Sequence, residues 1–301
     1  MLYDDAVAAF FPARQPGTVV PEAVRLAGPA RRLRDAAEPI ATHPVWSRRV
    51  NEAQADLGLD FLTGYVWGRA AALGVPTPGT AASAFAWFEP GLVARTLRAG
   101  QAAVGRDRLL EVRLRETAAG LSDVLAGQEL APVADRLLAA ARTLPTAGRP
   151  LYAGLLDLPA PTDPAARLQR GCELVREARG DAHVAVAVSA GLGPVEMNVF
   201  TEVWNGIEQG SYTATRGWSA DQVAAGVAVL EERGWLVDGA LTDDGRQVRH
   251  ELEAATDIAQ WRLVHALGDA LDDVVSALDQ WGELCVAAGV FPADVLKRAC
   301  G

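Results

Sequence analysis

Arg179, Asp181 and His183 stand close together in the stretch VREARGDAH at positions 175–183. A carboxylate beside an imidazole can fix its tautomer and raise its pKa, which suits general acid–base work. A neighbouring guanidinium can clamp a carboxylate or phosphate through two hydrogen bonds. Glu196 and Asn198 follow on the next predicted helix, where a helical return would bring them opposite His183. Tyr65 and Arg69 are four residues apart and share one helical face. An arginine inside an apolar helix needs a partner when buried, and Glu38 is a candidate. These residues outline a pocket between two helical halves. His183, Asp181 and Glu196 are its acid–base groups, and Tyr65, Arg69, Trp87, Phe88, Arg179, Asn198 and Trp204 its ligand-binding wall. The plainer alternative is a helix-end cap with an Arg–Asp pair and a satisfied histidine.

Other chemistries find little support. Cys172, Cys285 and Cys300 are scattered, and no Cys/His spacing reads as a zinc site. Gly191-Leu192-Gly193 lacks the third glycine of a dinucleotide loop, and Ser189 lacks a nucleophile elbow. No cofactor and no metal is therefore expected. The chain has 301 residues, half of them apolar, which excludes a disordered protein. The net charge is −10, and 27 of the 28 basic residues are arginine. An acidic balance argues against a protein that coats nucleic acid. The first residues carry no signal-peptide pattern and no apolar run is long enough to span a bilayer, so a cytoplasmic protein is expected.

The elements that must position these residues read as mostly helical. Residues 1–20 are taken as a loose leader and 21–148 as an N-terminal helical lobe. Residues 149–164 are a proline-rich linker, and 165–301 a C-terminal lobe. Predicted helices include 21–40, 45–57, 60–73, 80–88 and 164–178, while 182–190 fits either a helix or a buried strand. A degenerate repeat of one helical unit would relate the two lobes; chance likeness between Ala-rich helical halves is the alternative.

The most specific stretch is 216–257. Ser219 and Gln222 form a capping box that starts a helix. Gly234 suits its end, and Asp238-Gly239 suits the turn of a short hairpin. A further helix starts near Arg246. The phrase from Arg233-Gly234-Trp235-Leu236 to Leu241-Thr242-Asp243-Asp244-Gly245 resembles the recognition helix and wing of MarR-type regulators. With Gly64-Tyr65, Gly68-Arg69, Arg179–His183, Arg216–Ser219 and Thr256-Asp257, the chain is similar to an actinobacterial family of two-lobed MarR-like winged helix-turn-helix proteins over roughly 25–295. The resemblance implies a fold and carries no reaction.

The presumed recognition helix is poor in DNA-reading groups. It offers Asp221, Glu231 and Glu232, with only Arg233 basic at its far end. Asp243-Asp244, taken as the wing tip, would repel phosphates. The sequence thus favours a small-molecule-binding protein on a repurposed winged-helix scaffold, in bacterial specialised metabolism or resistance. A cofactor-independent enzyme in the same pocket and a ligand-responsive transcription regulator are the alternatives. Expected partners are a small ligand or substrate, with DNA disfavoured and no membrane. The expected assembly is either a pseudo-symmetric monomer or a homodimer through the amphipathic segment 256–288.

Overall fold

A computed structural model describes residues 2–10 and 27–294. Part of the predicted helix 21–40, together with Lys297 and Cys300, lies outside the described residues. Within the expected leader, Tyr3–Phe10 forms a helix, α1, and the Tyr3 hydroxyl donates to Trp46 O at 2.7 Å. The chain continues through α2 (Pro29–Ala41), α3 (His43–Trp46), α4 (Arg48–Ala55), α5 (Phe61–Ala70), α6 (Pro78–Phe85), α7 (Pro90–Ala103), α8 (Arg106–Val124) and α9 (Leu130–Ala141). The starts follow capping chemistry. Asp60 accepts from Thr63 N at 2.8 Å to open α5, and Pro78 and Pro90 begin α6 and α7, where a missing N–H costs nothing.

The segment expected to be a linker contains a helix, α10 (Pro150–Leu156), which buries Leu151, Tyr152 and Leu155. The ambiguous apolar run after residue 178 is helical. Pro164–Ser189 is one 26-residue helix, α11, capped by Asp163. After it come α12 (Pro194–Asn205), α13 (Ser211–Ala214) and α14 (Ala220–Glu232). The capping box at Ser219 and Gln222 is present in full. Strands β1 (Leu236–Val237) and β2 (Ala240–Leu241) pair antiparallel around Asp238-Gly239, both at positive φ. The hairpin tip is therefore Asp238-Gly239. Asp243 and Asp244 occupy the first turn of α15 (Asp243–Ile258), where the helix dipole favours carboxylates. The described residues end with α16 (Trp261–Leu267), α17 (Leu271–Ala287) and a short segment after it.

Three apolar cores hold these helices, and they do not divide the chain at 149–164. The largest joins Leu33 and Ile40 of α2 to Leu137, Leu168 and Leu278, so α17 packs back on the N-terminal half. A second lies within the first half, around Trp67, Phe85 and Leu97. The third surrounds Phe200, Leu230, Leu236 and Leu252 beneath the hairpin. Helix α11 supplies Leu168 and Leu174 to the first core and Ala187 to the third. Each fully buried leucine contributes about 2–5 kcal/mol by the cost of its truncation to alanine. Among the described residues the first half holds no strand, and no single helix is long and apolar enough to cross a membrane.

Candidate functional site

Where α11 passes between the cores, its polar face meets α2, α5 and α15. Spacing of four residues makes Arg31–Asp35, Arg34–Glu38 and Arg249–Glu253 neighbours on their own helices. Packing then links the helices. Arg31 and Arg179 both reach Glu253, at 3.0 and 2.6 Å, and Arg179 also reaches Asp257 at 3.1 Å. Arg176 pairs with Glu38 at 2.9 Å and with Glu177 at 2.5 Å. Arg69 closes on Glu177 through two parallel bonds of 2.7 and 3.1 Å. Arg34 bonds Asp35 at 2.9 Å and joins the two groups. The result is one ladder of six guanidiniums and five carboxylates. Burial would raise the Glu253 carboxyl, but Arg249, Arg31 and Arg179 outweigh it and hold the group well below the usual range. Burial is outweighed in the same way at Glu177, where Arg69 and Arg176 bring the carboxyl down to about 2.

One side of this ladder faces a chamber of about 100 Å³. Its far wall is built by α12, the segment before α14 and the loop after α6. That loop is tight. Trp87 N donates to Phe85 O at 2.5 Å around Ala86, whose φ of 49° makes a strained γ-turn and delivers Trp87 and Phe88 to the chamber. The Trp87 carbonyl then accepts from Asn198 Nδ2 at 2.9 Å and Trp218 Nε1 at 2.8 Å. Glu89 N donates to Arg216 O at 2.9 Å, which fixes the backbone of Arg216.

Six of the seven residues expected in the ligand-binding wall line the chamber: Tyr65, Arg69, Trp87, Phe88, Arg179 and Asn198. Trp204 does not. It lies behind the wall, with Arg249 Cζ 3.9 Å from its ring centroid. Arg69 pairs with Glu177 and not with Glu38, which instead holds Arg34 and Arg176.

The expected acid–base group is not assembled. His183 lines the chamber, but Asp181 turns away and accepts from Tyr152 N at 3.0 Å, at the start of α10. The cause is the continuity of α11: two residues apart on a helix means about 200° of rotation. His183 is oriented by Thr256, whose Oγ1 lies 3.0 Å from Nδ1 and donates its own proton to Leu252 O at 2.7 Å. With the hydroxyl proton on Leu252 O, a ring hydrogen on Nδ1 completes the pair. Burial, with Arg249, Arg179 and Arg31 adding to it against Glu253, brings the His183 pKa down to about 3. It is a neutral ring and a weak base. Glu196 stands in the first turn of α12 against Gly193 and is not in the chamber wall, while Asn198, again two residues on, is.

The sequence reading missed Arg31, Arg34, Arg216, Arg249 and Glu253 as wall residues. Arg216 differs from the other six arginines of the wall. Its Nη1 donates to Thr215 Oγ1 at 2.6 Å, and its Cζ lies 3.4 Å from the Tyr212 ring centroid and 5.4 Å from that of Phe88. Its Nε is buried without a hydrogen-bond partner, and among the described residues no carboxylate pairs with it. The Nε atoms of Arg179 and Arg249 are also buried without partners. All three are donors. Among the described residues, no group of His, Cys, Asp and Glu is arranged to hold a metal ion.

The sequence profile of a helix-turn-helix family matches residues 30–292. The chain belongs to that helix-turn-helix family. Neither the proteins of curated function nor the solved structures give a match. The family match spans every residue named in the ladder and the chamber. On its outer face, α14 exposes Asp221, Gln222, Glu231 and Glu232, Arg233 follows at its C-cap, and the hairpin exposes Asp238. Arg233 is turned back, with Nη1 on Ala190 O at 3.2 Å and Cζ 4.5 Å from the Trp235 ring centroid.

Proposed function

We propose that the protein binds a small anionic molecule in the arginine-lined chamber and that its outer helix-turn-helix face does not read DNA. The observation that carries this reading is Arg216. A half-buried guanidinium with an orphaned donor and no carboxylate partner is costly unless a ligand supplies the acceptor. The neighbouring orphans, Arg179 Nε and Arg249 Nε, are donors too and call for the same kind of group. Asn198, Trp87 and neutral His183 complete a wall that is polar without being reactive. Binding in bacterial specialised metabolism or resistance is consistent with such a chamber. Catalysis by His183, Asp181 and Glu196 is the weaker reading, because those three side chains are held in different places.

Operator binding is the second reading, and membership of a helix-turn-helix family favours it. Against it stand the exposed carboxylates of α14 and the hairpin, which phosphates would repel. Two measurements test the pair. Calorimetric titration with inorganic phosphate, acetate and benzoate should give saturable binding to at least one of them. Arg216→Met should weaken that binding by roughly 10- to 100-fold, the value of a charge-assisted hydrogen bond. A gel shift with the DNA upstream of the protein's own gene should show no complex at low salt. A salt-sensitive complex there, with no anion bound in the titration, would replace the ligand-binding reading with the regulatory one.

A further inference from the structure

The arginine-lined chamber shares part of its wall with a mostly apolar cavity. This second cavity, of about 120 Å³, adjoins it across Tyr65, Phe88, Arg176, Tyr212 and Arg216. Its remaining surface is mostly hydrocarbon: Phe10, Val45, Trp46, Phe61, Leu62 and Phe291. These side chains come from α1, α3, α5 and the segment that follows α17. Aromatic contacts hold them in place, with Phe10–Trp46 at 5.3 Å and Trp46–Phe61 at 5.7 Å between ring centroids. Several polar groups of this second wall are already paired. Thr42 Oγ1 donates to Glu38 O, Thr215 Oγ1 donates to Tyr212 O, and Glu38 and Arg176 hold each other. Arg216 bonds Thr215 but pairs with no carboxylate among the described residues, and it stands at the junction of the two cavities.

We propose that the ligand is an amphiphile with a single anionic head and a hydrocarbon tail, the head on Arg216 and the tail in the cavity between α1, α3 and α5. This rests on the anion-binding reading above and specifies its ligand class. One head is inferred because the other six arginines of the wall are engaged in the carboxylate ladder. A tail is inferred because an apolar cavity opening beside a single cation that lacks a carboxylate gains little from a ligand that is polar throughout. Buried methylenes would supply most of the affinity and the guanidinium would fix the orientation.

Calorimetric titration of the full chain with acetate, hexanoate, decanoate and decanol tests this. Affinity should rise with chain length, decanoate binding at least roughly tenfold tighter than hexanoate. Decanol should bind more weakly than decanoate by a similar factor, and Arg216→Met should abolish that difference. Leu62→Trp, which fills the tail cavity, should reverse the order of hexanoate and decanoate. Should that variant fold poorly, decanoate brominated at its terminal carbon provides an independent measurement. It should quench the wild-type tryptophan fluorescence, and Trp46→Phe should remove most of the quenching. Equal affinity for all chain lengths, or quenching unaffected by Trp46→Phe, overturns the tail assignment while leaving anion binding intact. Decanol binding as tightly as decanoate overturns the head assignment. Absence of binding by every carboxylate overturns the anion-binding reading itself.

Discussion

His183 Nδ1 lies 3.0 Å from Thr256 Oγ1, and the hydroxyl proton of Thr256 is already committed to Leu252 O. This arrangement favours the Nδ1–H tautomer, with Nε2 as the acceptor. Its depressed pKa, about 3, sets the sign of a stability effect. The unfolded chain takes up a proton near pH 6.5 and the folded one does not. Stability from this group is therefore complete above that pH and is lost as pH falls toward 3. Nitrogen-resolved NMR should show His183 neutral, with Nδ1 protonated, throughout the range of about pH 5 to pH 8. A ring that charges near pH 6.5 would refute the assignment. Thr256→Val should cost about 1–2 kcal/mol by leaving the ring donor unsatisfied.

Glu253 is the carboxylate on which Arg31, Arg179 and Arg249 converge. Among the described residues, replacing it with glutamine leaves Arg249 without a carboxylate and Arg31 and Arg179 with one each, Asp35 and Asp257. Glu253→Gln should destabilise the protein by about 3–5 kcal/mol in urea titrations. A loss under about 1 kcal/mol would mean that the ladder redistributes its charges freely.

Asp181 illustrates the opposite sign. Burial, opposed by the Tyr152 N–H and reinforced by Glu177, pushes its carboxyl up to about 7. The folded state therefore holds a proton that the unfolded state releases near pH 4, and stability falls as pH rises from there through 7. Asparagine can accept the same Tyr152 N–H without a charge. Asp181→Asn should raise the melting temperature at pH 8, by the equivalent of about 2–4 kcal/mol, and change it little at pH 4. Equal effects at both pH values would count against a raised carboxyl.

The γ-turn at Ala86 holds an alanine at φ 49°. Glycine meets no Cβ penalty there, so Ala86→Gly should stabilise the fold by up to about 1 kcal/mol. Ala86→Val should destabilise it and weaken ligand binding, because Trp87 and Phe88 would be displaced. Denaturant titration and calorimetry would report the two effects separately.

Local chemistry was legible in the sequence. The capping box at Ser219, the Asp238-Gly239 hairpin and the helix after it depend on neighbouring residues, and each is found. Tyr65 and Arg69 were placed together by helical spacing, and both line the chamber. What failed depended on helix phase or on distant partners. Reading a helix end near residue 178 let Asp181 and His183 share a site, and the unbroken α11 separates them. Glu196 and Asn198 were put on one face although two helical steps divide them. The ladder could not be read at all, since Arg31 meets Glu253 across 222 positions and periodicity names a buried face without naming what it meets.

The carbonyl of Trp87 is a rivet between parts of the chain that are far apart in sequence. It accepts from Asn198 on α12 and from Trp218 just ahead of α14, while Trp87 itself walls the chamber. A displacement of that peptide would strain two bonds at once, so the Trp87 loop, α12 and the start of α14 are tied to one another. The inner cavity and the outer face are, mechanically, linked through that one peptide.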